Sequence, residues 1–474
     1  MNLRRALILG WMMAGLQVMA VGQNSAPQNP PDQSSSDSGV RGRTPPAGAV
    51  TGIVGMGSEG AEETSEDLPQ IPVLLGGFGP STAFVTEMAR SNYVRGGINV
   101  GAIYDDNPLL LSPAVSNTSE TIFPNIKIDV SSSRARWSLG YAGGLTVNQK
   151  ITNQNQGTHN LNFDSQFRLS PHVSLRVAEV FSMTTGFFDA GNGGEIVGGS
   201  GGPNPSLLTP LATQRSSVTT VESTYHFARY DLIGASGSFY DLHFTNVPPP
   251  PAIQLTDTQT ASGSAFWLHR LFGGDWGGIS YRFDRITFNP HGETRVHTFS
   301  AVDTISLSKR FSLSAFVGPQ YSENQGLAQL APSNAWSVAA GAEGGWQGER
   351  TSVSAGYSRS ISDGGGVLGG VHLQTVHATF RRQLRPRWVT ALAAGHGTNQ
   401  SVTVPSPTNA SSITTTSVGA TLEHDVVRNL GIRFGYSHDF QQQFGLPGSA
   451  QRLDAHRNRF FVTLSYQWAR PLGM

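Results

Sequence analysis

Alternation of large apolar and polar residues is the dominant pattern along this chain, and it is clearest near the C-terminus. From Phe460 to Trp468 every second residue is large and apolar, and Thr463, Ser465 and Gln467 lie between them. Successive side chains of a β-strand point to opposite faces, so a period of two predicts a strand with one apolar, aromatic face and one polar face. The same pattern returns, in segments of about ten residues, through most of the chain. It therefore predicts an all-β protein.

The lengths of the connections add a second regularity. About 16–18 segments between residues 93 and 468 carry the strand pattern. Tight connections such as 131–134 and 347–350 alternate with long ones such as 105–120 and 185–214. Short turns at one end and long loops at the other are typical of an up-and-down transmembrane barrel, whereas a soluble sandwich has no reason to keep that order. We therefore predict an up-and-down antiparallel transmembrane β-barrel over residues 92–474.

The two faces of each predicted strand have different environments in such a barrel. A Lys or Arg facing lipid at mid-membrane costs about 2–4 kcal/mol, so the polar face must line the lumen. A barrel of sixteen or more strands is too wide to be filled by strand side chains and holds an aqueous channel. Strand parity gives these candidate pore-lining residues: Arg95, Lys127, Asp129, Arg136, Asp164, Arg168, Arg176, Glu222, Arg282, Glu343, Arg359, Glu423 and Arg433.

Two acidic residues fall on the apolar face of their segments. Glu179 follows Leu175 and Val177 in phase, and Asp303 precedes Ile305 in phase. We expect a β-bulge or a change of register at each acid, because an extra residue would turn the carboxylate to the polar side.

The longest predicted loop is a candidate for narrowing the pore. Long loops of a rigid scaffold often carry its function. The connection over residues 185–214 is therefore the candidate constriction loop, and Asp189 and Glu195 would be its charged residues.

The N-terminal region differs in composition from the rest of the chain. Arg4 and Arg5 precede a short apolar stretch that ends in small residues, which predicts a cleaved signal peptide over residues 1–22. Residues 23–91 are predicted to form a flexible periplasmic tail and lead-in: residues 23 to about 72 are rich in Pro, Ser, Gly and Gln, and residues 73–91 are a lead-in or a short plug. Beyond the signal no run reaches the roughly 18 apolar residues of a membrane helix. The exported chain is thus either soluble or crosses a membrane as strands.

Composition excludes several classes of function. Only 14% of residues are charged and the formal net charge is zero, which argues against nucleic-acid binding. Cysteine is absent, so there is no disulfide framework and no thiolate metal site. The segment Gly198–Gly202 formally matches a nucleophile elbow but lies in a glycine-rich loop, and the thirteen histidines form no His-Glu-x-x-His pair. The sequence predicts no enzyme, no catalytic residue, no cofactor and no metal site.

Two segments carry a resemblance to a known group of proteins. The Phe460–Trp468 segment resembles the last strand of bacterial outer-membrane β-barrels, and Gly101–Asn107 (Gly-Ala-Ile-Tyr-Asp-Asp-Asn) resembles an edge motif of porin-like barrels, some of them associated with exopolysaccharide export. The resemblance covers about residues 92–474. It implies an outer-membrane location, contact with outer-membrane lipids, and insertion by the barrel-assembly machinery. Residues Ala469–Met474 follow the terminal aromatic residue, which is a departure from the usual ending.

These observations favour a passive water-filled outer-membrane pore for small hydrophilic solutes. Lumen charges of both signs predict weak ion selectivity. An exopolysaccharide-export or assembly barrel, with polysaccharide as its cargo, would share the architecture and is the alternative. A soluble exported β-protein, whose apolar face would be buried, is a third reading. Porins of this size commonly form trimers, so a homo-oligomer is compatible with the resemblance.

Overall fold

Eighteen β-strands make up nearly all of the described chain. The structure, a computed structural model, describes residues 92–108, 114–151, 155–185, 213–245, 255–271, 275–289, 292–308, 310–325, 333–364, 370–402, 412–444 and 453–471. The strands are β1 Tyr93–Asp105, β2 Asn117–Ser131, β3 Ala135–Asn148, β4 Gln156–Arg168, β5 Val173–Thr185, β6 Thr213–Ala228, β7 Asp231–Thr245, β8 Asp257–Arg270, β9 Trp276–Asn289, β10 Glu293–Ser308, β11 Phe311–Gln325, β12 Ser333–Gln347, β13 Thr351–Ser362, β14 Val371–Arg385, β15 Trp388–Ser401, β16 Ser412–Val427, β17 Leu430–Phe444 and β18 Leu453–Pro471. The predicted signal peptide and tail, residues 1–91, lie outside the described residues.

The strands form one closed antiparallel sheet. Each strand pairs with its neighbours in sequence, and β1 pairs with both β2 and β18, which seals the cylinder. Closure leaves no strand at an open edge, which is the condition for a sheet surrounded by lipid, although the pairing of β12 with β13 covers only part of β12. The prediction of an up-and-down barrel is confirmed, with a strand number at the top of the predicted range.

The two ends of the barrel differ in the length of their connections. Even-numbered strands lead into short turns, as from Ser131 to Ala135 and from Gln347 to Thr351, and we call this the short-turn end. The opposite end, at which odd-numbered strands finish, is the long-loop end. The described irregularities of register lie in the last residues of even strands: His226/Ala228, Ser306/Ser308, Gln383/Arg385 and Asp425/Val427.

The outer surface of the barrel is a broad apolar belt. Side chains on the convex side of a closed sheet diverge and stay accessible, whereas those inside converge. The accessible large apolar residues follow the predicted parity, and examples are Ile98, Ile126, Leu139, Val418, Phe434 and Leu464. Among the described residues, no helix has the length and apolarity to cross a membrane.

The expected bulges at Glu179 and Asp303 do not form. Both pairings of β5 run through Glu179 without a break, and both pairings of β10 run through Asp303. Both carboxylates therefore stay on the outer face. Glu179 accepts hydrogen bonds from the hydroxyls of Ser217 and Thr219 on β6, so its carboxylate is satisfied without a change of register.

Candidate functional site

Most charged residues of the strands project into the lumen. The strand pairing places on the inner face every predicted pore-lining residue except one: Arg95, Lys127, Asp129, Arg136, Asp164, Arg168, Arg176, Glu222, Arg282, Glu343, Glu423 and Arg433. Arg359 is the exception. It pairs with Ala340 and Gln374 in the register of the outer face, so its predicted position is corrected.

The inner charges mostly occur as ion pairs between adjacent strands. Arg176 on β5 donates from Nε and Nη2 to Asp164 Oδ2 on β4, at 2.9 and 2.5 Å. Glu222 lies opposite Arg176 on β6. Arg433 pairs with Glu423 on the neighbouring strand in the same way. Pairing of this kind leaves a polar wall with little net charge, which is a poor filter for ion sign.

Two of the predicted pore-lining arginines, both at the short-turn end, depart from this pattern. Within the described part of the chain, Arg136 on β3 and Arg168 on β4 form no ion pair, although both face the lumen. Arg168 is exposed to solvent. Their charges make the short-turn end of the lumen locally positive. Strand parity predicts the two residues separately and does not predict the positive region that they form.

Small side chains line the inner face from β13 to β16. Because these residues project little from the wall, they leave lumen cross-section free for water. Representative inner positions on these four strands are Ser354, Gly356, Thr379, Ala391, Ala393, Gly395, Ser417 and Gly419.

An apolar patch covers the inner face of β7–β12. It consists of Leu232, Phe266, Leu268, Trp276, Val302, Phe316 and Ala339, all at most 9% exposed. The expectation of a polar inner face is corrected here. One feature of the sequence indicates the apolar patch: Ala265, Phe266, Trp267 and Leu268 are consecutive apolar residues. A strand without alternation is apolar on both of its faces, so one of these faces must be turned to the lumen.

The described residues on either side of the β13–β14 loop lie inside the lumen. Asp363, just beyond β13, is 2% exposed and interacts electrostatically with Tyr240 on β7, six strands away. A Cβ atom added at Gly370, just before β14, would lie 2.9 Å from Thr294 Oγ1 on β10. These contacts cross the interior, so the hairpin narrows the lumen at the long-loop end.

The pairing of β12 with β13 shows how the hairpin leaves the wall. Their register ends at Ala340 and Arg359, although β12 begins seven residues earlier, at Ser333. The end of β13 is thereby released to bend inward. The predicted constriction loop, residues 185–214 with Asp189 and Glu195, lies outside the described residues except at its margins, so its role stays a prediction.

The Asp105-Asp106-Asn107 motif joins the first strand to the last. Arg457 on β18 donates from Nε to Asp105 Oδ2 at 2.8 Å, and both partners are almost fully buried. Asn458 donates from its backbone N and its Nδ2 to the two Asp106 oxygens, at 2.7 and 2.6 Å. Asn107 Nδ2 donates to the His456 carbonyl at 3.1 Å. The motif that resembles an edge motif of porin-like barrels thus joins β1 to β18 where the sheet closes. We call these contacts the clasp, and the β1–β18 pairing the closing seam.

The described residues offer no metal site. No group of three or more His, Asp or Glu residues in that part of the chain could hold a metal ion. Inward-facing His377 has one carboxylate nearby, with Glu343 Oε1 3.9 Å from its Nε2. A single carboxylate beside one imidazole is short of the ligand number that zinc requires.

Comparison with known proteins gives structural likeness only. No family model matches the chain, and no curated protein matches it. Among solved structures, the outer membrane protein OpdK from Pseudomonas aeruginosa aligns over 80% of this chain and 99% of its own, at 11% identity and a TM-score of 0.41. OccK9 (OpdG) from the same organism aligns over 80% of this chain and 98% of its own, at 12% identity and a TM-score of 0.41. The siderophore receptor PirA from Pseudomonas aeruginosa aligns over 80% of this chain and 81% of its own, at 10% identity and a TM-score of 0.39. The closed barrel of this chain is established by its own strand pairing.

Proposed function

We propose that this protein is a passive, water-filled pore for small hydrophilic solutes in the outer membrane of a Gram-negative-type envelope. The observation that carries the proposal is the opposition of the two faces: an apolar belt outside and hydrogen-bonded charges inside a closed ring of eighteen strands. A barrel of that width encloses more space than strand side chains fill. The outer belt suits acyl chains, and the inner wall suits water.

The same features support the remaining parts of the proposal. Asp363 and Gly370, which flank the β13–β14 loop inside the lumen, would restrict passage to small solutes, and the paired lumen charges favour weak selection by ion sign. The aromatic last strand is the element that the barrel-assembly machinery would recognise, and the N-terminal segment would direct export.

Conductance in a planar lipid bilayer tests the pore directly. We expect the purified, refolded chain to give discrete channels, and we expect Ala393→Trp to lower their conductance roughly twofold or more, because Ala393 lies on the open inner wall between Thr379 and Gly419. Ala394→Trp is the matched control, since its neighbours Ala378 and Val418 lie on the lipid side. A chain that inserts without forming channels, or equal block by both variants, would contradict the proposal.

Removal of a lumen acid should change ion preference. In Asp164→Asn the guanidinium of Arg176 loses the carboxylate that neutralises it, so we expect the reversal potential in a salt gradient to shift by a few millivolts toward anions. Asp303→Asn removes a carboxylate from the outer face and should leave the reversal potential unchanged. A shift of the same size in both variants would show that the lumen does not carry the current.

A further inference from the structure

The short-turn end of the barrel carries an excess of basic residues. Most of its turns contain an exposed arginine, and these are Arg134, Arg229, Arg310, Arg350, Arg387 and Arg428. The described acids of the same turns are Asp275 and Glu349, and Asp231 and Asp425 lie near the ends of the adjoining strands. Glu349 Oε1 already lies 3.6 Å from Arg310 Nη2, and Asp231 Oδ1 lies 2.9 Å from His269 Nδ1.

One group of arginines at this end turns into the lumen from β3 and β4. The strand register places the side chains of Arg136 and Arg168 on the inner face. The backbone N of Arg168 donates to the carbonyl of Arg134 at 2.7 Å, so three arginines lie close together. Like charges at this spacing repel each other, which makes the group a site for an acidic partner.

The acids of the neighbouring inner wall are held by other bases. Asp164, on the same face of β4, accepts a hydrogen bond from Arg176 Nε at 2.9 Å. Asp129 Oδ1 on β2 lies 3.3 Å from Lys127 Nζ, and its Oδ2 lies 3.6 Å from Arg95 Nη1. The barrel wall therefore does not neutralise the β3–β4 group.

A second group of arginines lies at the ends of β13 and β14. Arg381 is exposed on the inner face, level with Ser352 on β13 and Ala391 on β15. Gln383 N donates to the carbonyl of Arg350 at 2.8 Å, which sets the exposed Arg350 beside this part of β14. Within the described residues Arg381 has no ion-pair partner.

The two groups face each other across the mouth of the lumen. β4 and β13 are nine strands apart in the ring of eighteen, which is half of its circumference. Strands about 4.8 Å apart and tilted by about 40° give a width of about 35 Å between opposite backbones. A small anion cannot bridge that width, whereas an extended segment of about nine residues spans about 30 Å and can reach both groups of side chains.

The sequence contains a segment with the complementary charge. Residues 59–67, which we call the acidic segment, contain no Lys, Arg or His, and their acids are Glu59, Glu62, Glu63, Glu66 and Asp67. The segment precedes β1, so it belongs to the part of the chain outside the described residues. Its length matches the width of the basic mouth.

The chain enters the barrel at the same end as the basic groups. Asn92 directly precedes β1, and its Oδ1 accepts a hydrogen bond from Ser131 N at 2.8 Å, at the short-turn end of β2. A coil of the length of residues 68–91 has a reach of about 25–30 Å, which is enough to bring the acidic segment to the mouth.

We propose that the acidic segment binds across the short-turn mouth of the lumen, between Arg136 and Arg168 on one side and Arg381 on the other. These arginines point into the lumen and away from lipid headgroups, so lipid does not neutralise them. Attachment to the same chain gives the segment an effective concentration of about a millimolar, at which weak ion pairs are sufficient to hold it. The bound segment narrows the mouth and offsets its positive charge.

Disulfide formation within one chain tests this binding. The chain contains no cysteine, so two introduced thiols report one contact. Ser65→Cys lies in the acidic segment, and Ser352→Cys lies beside Arg381. In phosphatidylcholine vesicles at about 0.1 M salt, where the Debye length is about 10 Å, oxidation should join these thiols in the full chain. Asn155→Cys, exposed at the long-loop end, is the matched control partner and should stay unlinked to Ser65→Cys.

Charge dependence separates binding from simple attachment. Replacement of every acid of the acidic segment by its amide should lower the disulfide yield about threefold or more, because Coulombic attraction then no longer holds the segment at the mouth. Arg168→Gln combined with Arg381→Gln should lower the yield in the same way. About 1 M salt, which shortens the Debye length to about 3 Å, should also lower the yield of the parent segment. An unchanged yield in the amide variant or in the arginine variant would overturn the proposal.

The effect on current rests on the proposed function, whereas the disulfide does not require conduction. In a conducting chain, the amide variant should have a higher conductance than the parent at about 0.1 M salt and the same conductance at about 1 M. A chain that forms the acid-dependent disulfide without channels would contradict the pore alone. Channels whose conductance at low salt is the same in the amide variant and the parent would contradict the binding alone.

Discussion

Replacement of Asp105 by alanine is expected to destabilise the barrel by about 3–5 kcal/mol. Asp105 and Arg457 form an ion pair across the β1–β18 seam, and their side chains are only 2% and 1% exposed. Loss of the acid leaves the guanidinium buried near Arg459, whose own partner is Asp439 at 2.7 Å. The closing seam should therefore open first. Urea unfolding in lipid vesicles, followed by tryptophan fluorescence, measures the loss.

The matched control removes the charge together with its partner. The double variant Asp105→Ala with Arg457→Leu leaves no uncompensated charge, so most of the stability should return, since well-packed apolar residues can replace a buried pair at little cost. The difference between single and double variants gives the coupling of the pair. If Asp105→Ala unfolds at the same urea concentration as the parent chain, the clasp contributes nothing to closure.

Placing arginine on the lipid side should have the second largest effect. Val418 points outward near the middle of β16, and a charged side chain there is expected to cost about 2–4 kcal/mol of folding free energy in a bilayer. Val418→Arg should therefore refold into vesicles with lower yield and unfold at lower urea concentration than the parent chain.

The adjacent residue supplies the control for that experiment. Ser417 points inward, where its neighbour on β15 is Gly395, which has no side chain. An arginine at residue 417 thus has space and lumen water within reach, so Ser417→Arg should fold better than Val418→Arg and nearly as well as the parent chain. Similar losses in both variants would mean that the two faces of β16 share one environment, contrary to a lipid-embedded barrel.

Sequence pattern alone predicted most of the wall of this barrel. The period of two assigned the inner or outer face correctly for charged residues such as Asp164, Arg176 and Glu423, because the face of a side chain depends only on its position along its own strand. Arg359 was assigned to the wrong face. Phase along β13 in fact agrees with the structure, because Arg359 has the same parity as Val353, Tyr357 and Ile361.

The expectation of bulges at Glu179 and Asp303 was wrong for a related reason. Phase shows that an acid falls on the apolar face, but it does not show what the neighbouring strand offers. Serine and threonine hydroxyls on β6 satisfy Glu179, so that acid needs no change of register. The register is also unbroken at Asp303, although its neighbours Gly277 and Ala315 offer no side-chain donor.

Local periodicity and turn spacing by themselves determined a range of 16–18 strands, the antiparallel up-and-down order and the apolar exterior, because each of these depends on residues close together in sequence. Only the tertiary structure decided which side chains meet: the clasp between Asp105 and Arg457, the apolar patch inside β7–β12, and the inward β13–β14 hairpin. Those contacts join strands that are distant in the chain or on opposite sides of the lumen. They follow from the register and the closure of the whole sheet, and the sequence of a single strand specifies neither.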